Sequence, residues 1–204
     1  MEIEYSPKVD KVRLWDKTVV EIGDPSNFIA NVLLYCGGTL DSTYKSANAI
    51  LKAVGHTARF EFLENPDGTV SVKSPEGIPP VGWFLDLYGK VRQHLKDLEK
   101  NPKLTLANPL EPSYVPLAET IALPDGKSQE IRDILEFYAN VNADFDGQMF
   151  YHHAWADRVR IALGKPVVNG NPEMVDKVLP VGWCLALMEA VAKKVQALVQ
   201  AKKN

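Results

Sequence analysis

Four residues of one short stretch, Asp144, Asp146, His152 and His153, form the densest set of metal-capable or proton-transferring side chains in the chain. Carboxylates and imidazoles together suit zinc, iron or manganese, and an aspartate near a histidine suits acid–base work. Adjacent histidines leave a helix on different faces, so His153 is the one expected to join Asp144 and Asp146 as a metal site, or Asp146 alone as a catalytic pair. Asp157, four residues on, is spaced to orient His153. The competing reading is helix capping and a polar surface, which requires no metal, and no cofactor is expected. His56 and His94 stand alone in the sequence. The chain carries no H-E-x-x-H, no paired C-x-x-C, no nucleophile elbow and no complete phosphate loop.

A second candidate is Cys36-Gly37-Gly38-Thr39-Leu40-Asp41-Ser42, preceded by Val32-Leu33-Leu34-Tyr35. It resembles the nucleotide-binding loop of the ATP pyrophosphatase superfamily, where a strand runs into Ser-Gly-Gly-x-Asp-Ser. The resemblance covers about 20 residues. It implies a phosphate held by Gly37, Gly38, Asp41 and Ser42 at a helix start. Cys36 stands where the family has serine, and one residue is inserted before Asp41-Ser42. The same stretch fits a helix–turn–helix whose second helix would offer Ser42, Thr43, Lys45, Asn48 and Lys52 to a nucleic acid.

These candidates sit in a sequence that repeats itself. Pro80-Val81-Gly82-Trp83 recurs one hundred positions later as Pro180-Val181-Gly182-Trp183, and Leu85, Leu87, Val91, Leu95 and Leu98 align with Leu185, Leu187, Val191, Val195 and Leu198. The proline sets where a helix starts, the glycine admits a close neighbour, and the indole brings a large surface with one donor. Trp83 and Trp183 therefore serve either as core anchors or as the walls of a paired ligand pocket. Tyr44–Gly55 and His152–Gly164 also end alike, each after an apolar-Asp pair, Leu40-Asp41 and Phe145-Asp146.

The remaining elements follow from local pattern. Val12 and Leu14 lie in an extended arm with Trp15, and 18–22 is β-prone. Asp24-Pro25 opens a helix carrying Phe28, Ile29, Val32, Leu33 and Cys36. The second helix carries Ala47, Ile50, Leu51 and Val54 and ends at Gly55. Segments 57–63 and 69–73 flank an Asp67-Gly68 turn as a hairpin. Five prolines mark 101–127 as a linker or belt, with a short strand at 119–123 and enough apolar residues to lie along a core. Ser128 is expected to cap a helix bearing Ile131, Ile134, Leu135 and Tyr138. A helix from about Gln148 to Leu163 and a short helical turn at 173–178 precede the second Pro-Val-Gly-Trp helix. The expected fold is mainly α with β elements, an internally duplicated helical bundle: 1–100 as one half, 101–127 as belt, 128–204 as the other, with the halves sharing one core.

Composition narrows function by exclusion. The 204 residues are 46% hydrophobic and 24% charged, an ordinary globular balance. Twenty-three basic against 26 acidic residues give a formal charge of -3, so a nucleic-acid partner is not expected. No apolar run approaches the ~20 residues of a membrane span, and the opening residues lack a leader's apolar core. Cys36 and Cys184 read as buried thiols rather than a disulfide framework, and the cytoplasm is the expected location. The leading expectation is a non-catalytic structural, adaptor or assembly protein acting through a protein partner or copies of itself. The alternatives are a nucleotide- or metal-dependent enzyme, at the 37–42 loop or the 144–153 cluster, and a helix–turn–helix nucleic-acid binder.

Overall fold

The computed structural model describes residues 8–38, 40, 43–66, 70–143 and 153–203. It is mainly helical, 48% helix, with several short antiparallel hairpins and no closed barrel. Two compact units divide the chain. One comprises the described residues within Met1–Phe60, Pro75–Val115 and Ala201–Asn204; the other comprises those within Glu61–Ser74 and Pro116–Gln200.

The first unit opens with strands β1 (Asp10–Arg13) and β2 (Val19–Gly23), paired antiparallel with Val12 opposite Val20. Val12 and Leu14 are buried while Lys11 is exposed, the alternation of a half-buried strand. Helix α1 (Pro25–Tyr35) starts where Asp24 accepts the Ser26 N–H at 2.7 Å, with proline at its first position. Helices α1, α2 (Tyr44–Ala53) and α3 (Val81–Lys100) pack on one another around Phe28, Val32, Ile50, Leu51, Phe84 and Leu87.

The proline-rich segment lies along this unit. Leu110 N–H donates to Lys11 O, and Arg13 N–H donates to Leu110 O, both at 2.8 Å, which adds a parallel bridge to β1. Asp86, buried in α3, accepts the Ser113 N–H at 2.9 Å. The neighbouring Tyr114 ring fills the space over Gly82, where a Cβ would meet ring carbons at 2.0–2.5 Å. The close neighbour of this glycine is thus an aromatic side chain.

The second unit holds the hairpin β3 (Glu61–Glu64)–β4 (Val70–Lys73) and the hairpin β5 (Glu119–Ala122)–β6 (Ser128–Ile131). Helices α4 (Ile134–Val141), α5 (His153–Ala162) and α6 (Val181–Lys203) follow, with a 3-10 turn at Pro172–Lys177 before α6. Ser128 does not cap a helix: the Asp125-Gly126 turn sends Ser128–Ile131 back along β5, and Asp133 caps α4 by accepting the Leu135 N–H at 3.0 Å. Along α6, Cys184, Met188, Val191, Val195 and Val199 form the buried stripe, spaced as one face of a helix.

The same local structures recur one hundred and nine positions apart, the shift that carries Asp24 onto Asp133. In the two hairpin turns, Leu14 N–H meets Thr18 O and Leu123 N–H meets Lys127 O, both at 2.8 Å. Asp16 and Asp125 each accept the N–H two residues on, and that bond holds both carboxyls below their ordinary range. The helix ends match as well. Gly55 (φ 72°) and Gly164 (φ 65°) close α2 and α5 with His56 N–H on Leu51 O and Lys165 N–H on Arg160 O. Phe28-Ile29-Ala30-Asn31-Val32 and Phe137-Tyr138-Ala139-Asn140-Val141 align at this shift, which sets Asp41 opposite Phe150 rather than Asp146.

The two Pro-Val-Gly-Trp segments both open helices, yet their glycines differ. Gly182 is exposed, and nothing lies within 4 Å of a Cβ added there. Replacing Gly82 by alanine is expected to destabilise the protein by about 1–3 kcal/mol through overpacking against Tyr114. Gly182→Ala should be neutral, or stabilising by up to about 1 kcal/mol from helix propensity. Denaturant midpoints of the two variants check the contrast.

Candidate functional site

In α2 the Asn48 amide meets the chain that follows the helix. Its Oδ1 accepts the Phe60 N–H at 2.9 Å and its Nδ2 donates to Phe60 O at 3.0 Å. In α5 the equivalent position is Asp157, a pure acceptor. Its Oδ1 accepts the Val168 N–H at 2.9 Å and its Oδ2 accepts the Asn169 N–H at 2.8 Å. Exchanging an amide for a carboxylate obliges the connector to present two N–H groups where the first unit presents one N–H and one C=O. Asn169 adopts a left-handed conformation there, with φ 44°.

The carboxylate also demands a cation, and Arg160 stands where α2 has Leu51. Arg160 is fully buried, and its Nη1 donates to Asp157 Oδ1 at 2.5 Å. Its Nε and Nη2 donate to Leu179 O, just before Pro180. One buried ion pair therefore fixes both ends of the connector from Lys165 to Pro180. Nearby Cys184 is fully buried, and that burial pushes its thiol above the ordinary 9.0.

Beside this pair lies a cleft of about 820 Å³ lined by His153, Ala154, Asp157, Arg158, Ile161, Val167, Val168, Asn169, Gly170, Pro172 and Val175. Its volume lies within the roughly 300–1,000 Å³ of small-molecule sites. Ile161 is 63% exposed and Val175 38%, large values for apolar side chains. His153 opens α5 and its Nδ1 is buried with no hydrogen-bond partner among the described residues.

The sequence candidates are distributed as follows. Asp41, Ser42, Asp144, Asp146 and His152 lie outside the described residues. His153 lines the cleft, but Asp157 does not orient it; that carboxylate is taken by Arg160, Val168 and Asn169. Gly37 and Gly38 donate their N–H groups to Leu34 O and Leu33 O, so both amides serve the end of α1. The segment that leads into them is a helix, Pro25–Tyr35, in place of the strand that the nucleotide-loop resemblance implies. Asn48 is bound to Phe60, and the Lys52 ammonium stands 4.0 Å over the Tyr35 ring, while Lys45 is exposed. Among the described residues, no group of three or more His, Cys, Asp or Glu side chains is placed to hold a metal ion.

Trp83 belongs to an aromatic cluster of the first unit, with Trp15 at 5.3 Å and Phe84 at 5.2 Å; Trp15 also meets His56 at 5.0 Å. Trp183 is half-buried in the second unit. Two pairings escaped the sequence pattern. His94 Nε2 lies 3.1 Å from Asp10 Oδ2, both groups buried, and Lys194 Nζ lies 2.5 Å from Glu119 Oε1 near the surface. Each links the first strand of a hairpin to a Pro-Val-Gly-Trp helix. Sequence distance hides such partners, although their positions keep the two repeat shifts.

The chain matches no family model, no curated protein and no solved structure. No helix among the described residues is long and apolar enough to cross a membrane.

Asp157→Ala leaves the Arg160 guanidinium buried without its counter-ion and is expected to cost about 3–5 kcal/mol. Asn48→Ala removes a neutral clamp and should cost less, about 1–3 kcal/mol. Unfolding midpoints of both variants test the order. In the folded protein, Cys184 should resist alkylation while Cys36 reacts, with both modified in denaturant, as intact mass will show.

Proposed function

We propose that this is a non-catalytic adaptor or assembly protein built from two copies of one module and acting through protein–protein contacts, self-association included. The carrying observation is the β3–β4 hairpin. It is a two-stranded sheet in which every β3 residue is exposed, with Phe62 at 39% and Leu63 at 44%. Successive residues of a strand point to opposite faces, so an apolar side chain is offered on each. A lone two-stranded hairpin is marginal in water and presents open edges, features that suit strand addition or burial against a protein partner.

The duplicated module supports the same reading. The groups most apt for chemistry at the matched positions, Asn48, Asp157, Asp10 and His94, hold strands and connectors in place. In sequence the hairpin is inserted after α2, where the segment after α5 carries only the short connector and 3-10 turn, although it belongs to the second compact unit. The duplicated fold supplies rigidity, and the insertion supplies a contact surface.

Native mass spectrometry and light scattering of the wild type and of Leu63→Lys test this function. The expected outcome is a defined oligomer for the wild type that falls to monomer on the substitution, with the melting temperature unchanged. A wild type that stays monomeric at every concentration, with the same behaviour in Leu63→Lys, would overturn it.

A further inference from the structure

We infer that the cleft beside α5 is a binding site for a small, uncharged, planar aromatic molecule. Two places in one chain, compared residue by residue, carry it independently of the assembly function. At the shift that carries Asn48 onto Asp157, Tyr44 falls on His153 and Phe60 on Asn169; at the shift of the Pro-Val-Gly-Trp segments, Phe84 falls on Cys184. In the first unit these positions carry three packed rings. Tyr44 and Phe60 stand 4.8 Å apart, Phe60 and Phe84 stand 6.1 Å apart, and all three are buried. The second unit keeps a helix-to-connector clamp at the same helix position and the same glycine helix end, but has an imidazole, an amide and a thiol in place of the rings.

Two of these three positions, His153 and Asn169, line the cleft of about 820 Å³, while Cys184 is buried away from its lining. Ile161, Val167, Pro172 and Val175 give the cleft an aliphatic wall, and Asp157 and Arg158 are the charged residues of its lining. Ile161 stands where α2 has the exposed Lys52, so the rim is less polar at that position. A cleft with an aliphatic wall and a few polar groups at one end selects a flat apolar body with a hydrogen-bonding edge. An arene such as indole or p-cresol meets that description, its N–H or O–H facing the His153 ring and the Asn169 amide. Asp157 is neutralised by Arg160, and Arg158 is buried with an interaction of its own, so no ionic group is required of the ligand.

The test titrates ¹⁵N-labelled protein with indole and p-cresol, using cyclohexanol as a non-planar control. Saturable shifts confined to His153, Ile161, Val167, Asn169 and Val175 are expected, with weaker response to cyclohexanol. Two variants borrow residues that the first unit already carries. His153→Tyr, which leaves the left-handed Asn169 in place, should weaken indole binding at least about tenfold, close to 1.4 kcal/mol, and leave the melting temperature equal or higher. Ile161→Lys, at an exposed position that leaves the core intact, should weaken it as well. Absence of saturable shifts in the wild type overturns the inference. So do shifts centred on Trp15 and Trp83, or equal binding by the wild type and the folded Ile161→Lys protein.

Discussion

A backbone N–H that follows a helix into a packed interior must be met by an acceptor, or it costs about 1–3 kcal/mol. Twice in this chain the acceptor is a side chain at the same place in the preceding helix, Asn48 for Phe60 and Asp157 for Val168. The choice of side chain has consequences on every side. An amide accepts and donates, so Asn48 completes its own bonding and permits Leu51 and Phe60 to be apolar neighbours. A carboxylate only accepts, so Asp157 draws in a second N–H and a guanidinium, and Arg160 in turn reaches the Leu179 carbonyl. The first arrangement ends in an aromatic core and the second in an ion pair beside an open cleft.

Paired polar side chains show the same divergence on a fixed frame. Asp10 with His94 and Glu119 with Lys194 each tie a first hairpin strand to the last helix of its segment. The first pair is buried, where loss of one partner strands the other. The second is close to half exposed, where solvent screens it and little stability depends on it. Position is preserved while its energetic weight changes with burial.

The sequence made the local rules plain. Asp24-Pro25 announced α1, the alternation around Asp67-Gly68 announced β3 and β4, and the repeated tetrapeptide announced the starts of α3 and α6. Ser128 misled because serine caps helices and opens strands alike, and only pairing with β5 decides between them. His94 looked solitary because its partner precedes it by 84 residues. The cleft was legible only at His153 and, with another role, Asp157. Asn169 and Val175 sit in a connector whose path depends on hydrogen bonds to Asp157, and no periodicity reports that. The register from β1 to α2 was missed because the tetrapeptide keeps a different shift: the inserted hairpin lengthens one segment.

The bridge between Val12 and Leu110 bears on how the chain is made. Ribosomes add about 5–20 residues per second, whereas a hairpin closes in about 1–10 μs. β1 and β2 can therefore pair as soon as both emerge, while the strand that completes the free edge of β1 arrives roughly 5–20 s later. During that interval the Lys11 carbonyl and the Arg13 N–H, later taken by Leu110, are open to any extended chain nearby. The side chains on these same two residues are cationic. Charged side chains on an open strand edge disfavour pairing with another chain, so Lys11 and Arg13 suit the edge that waits for Leu110.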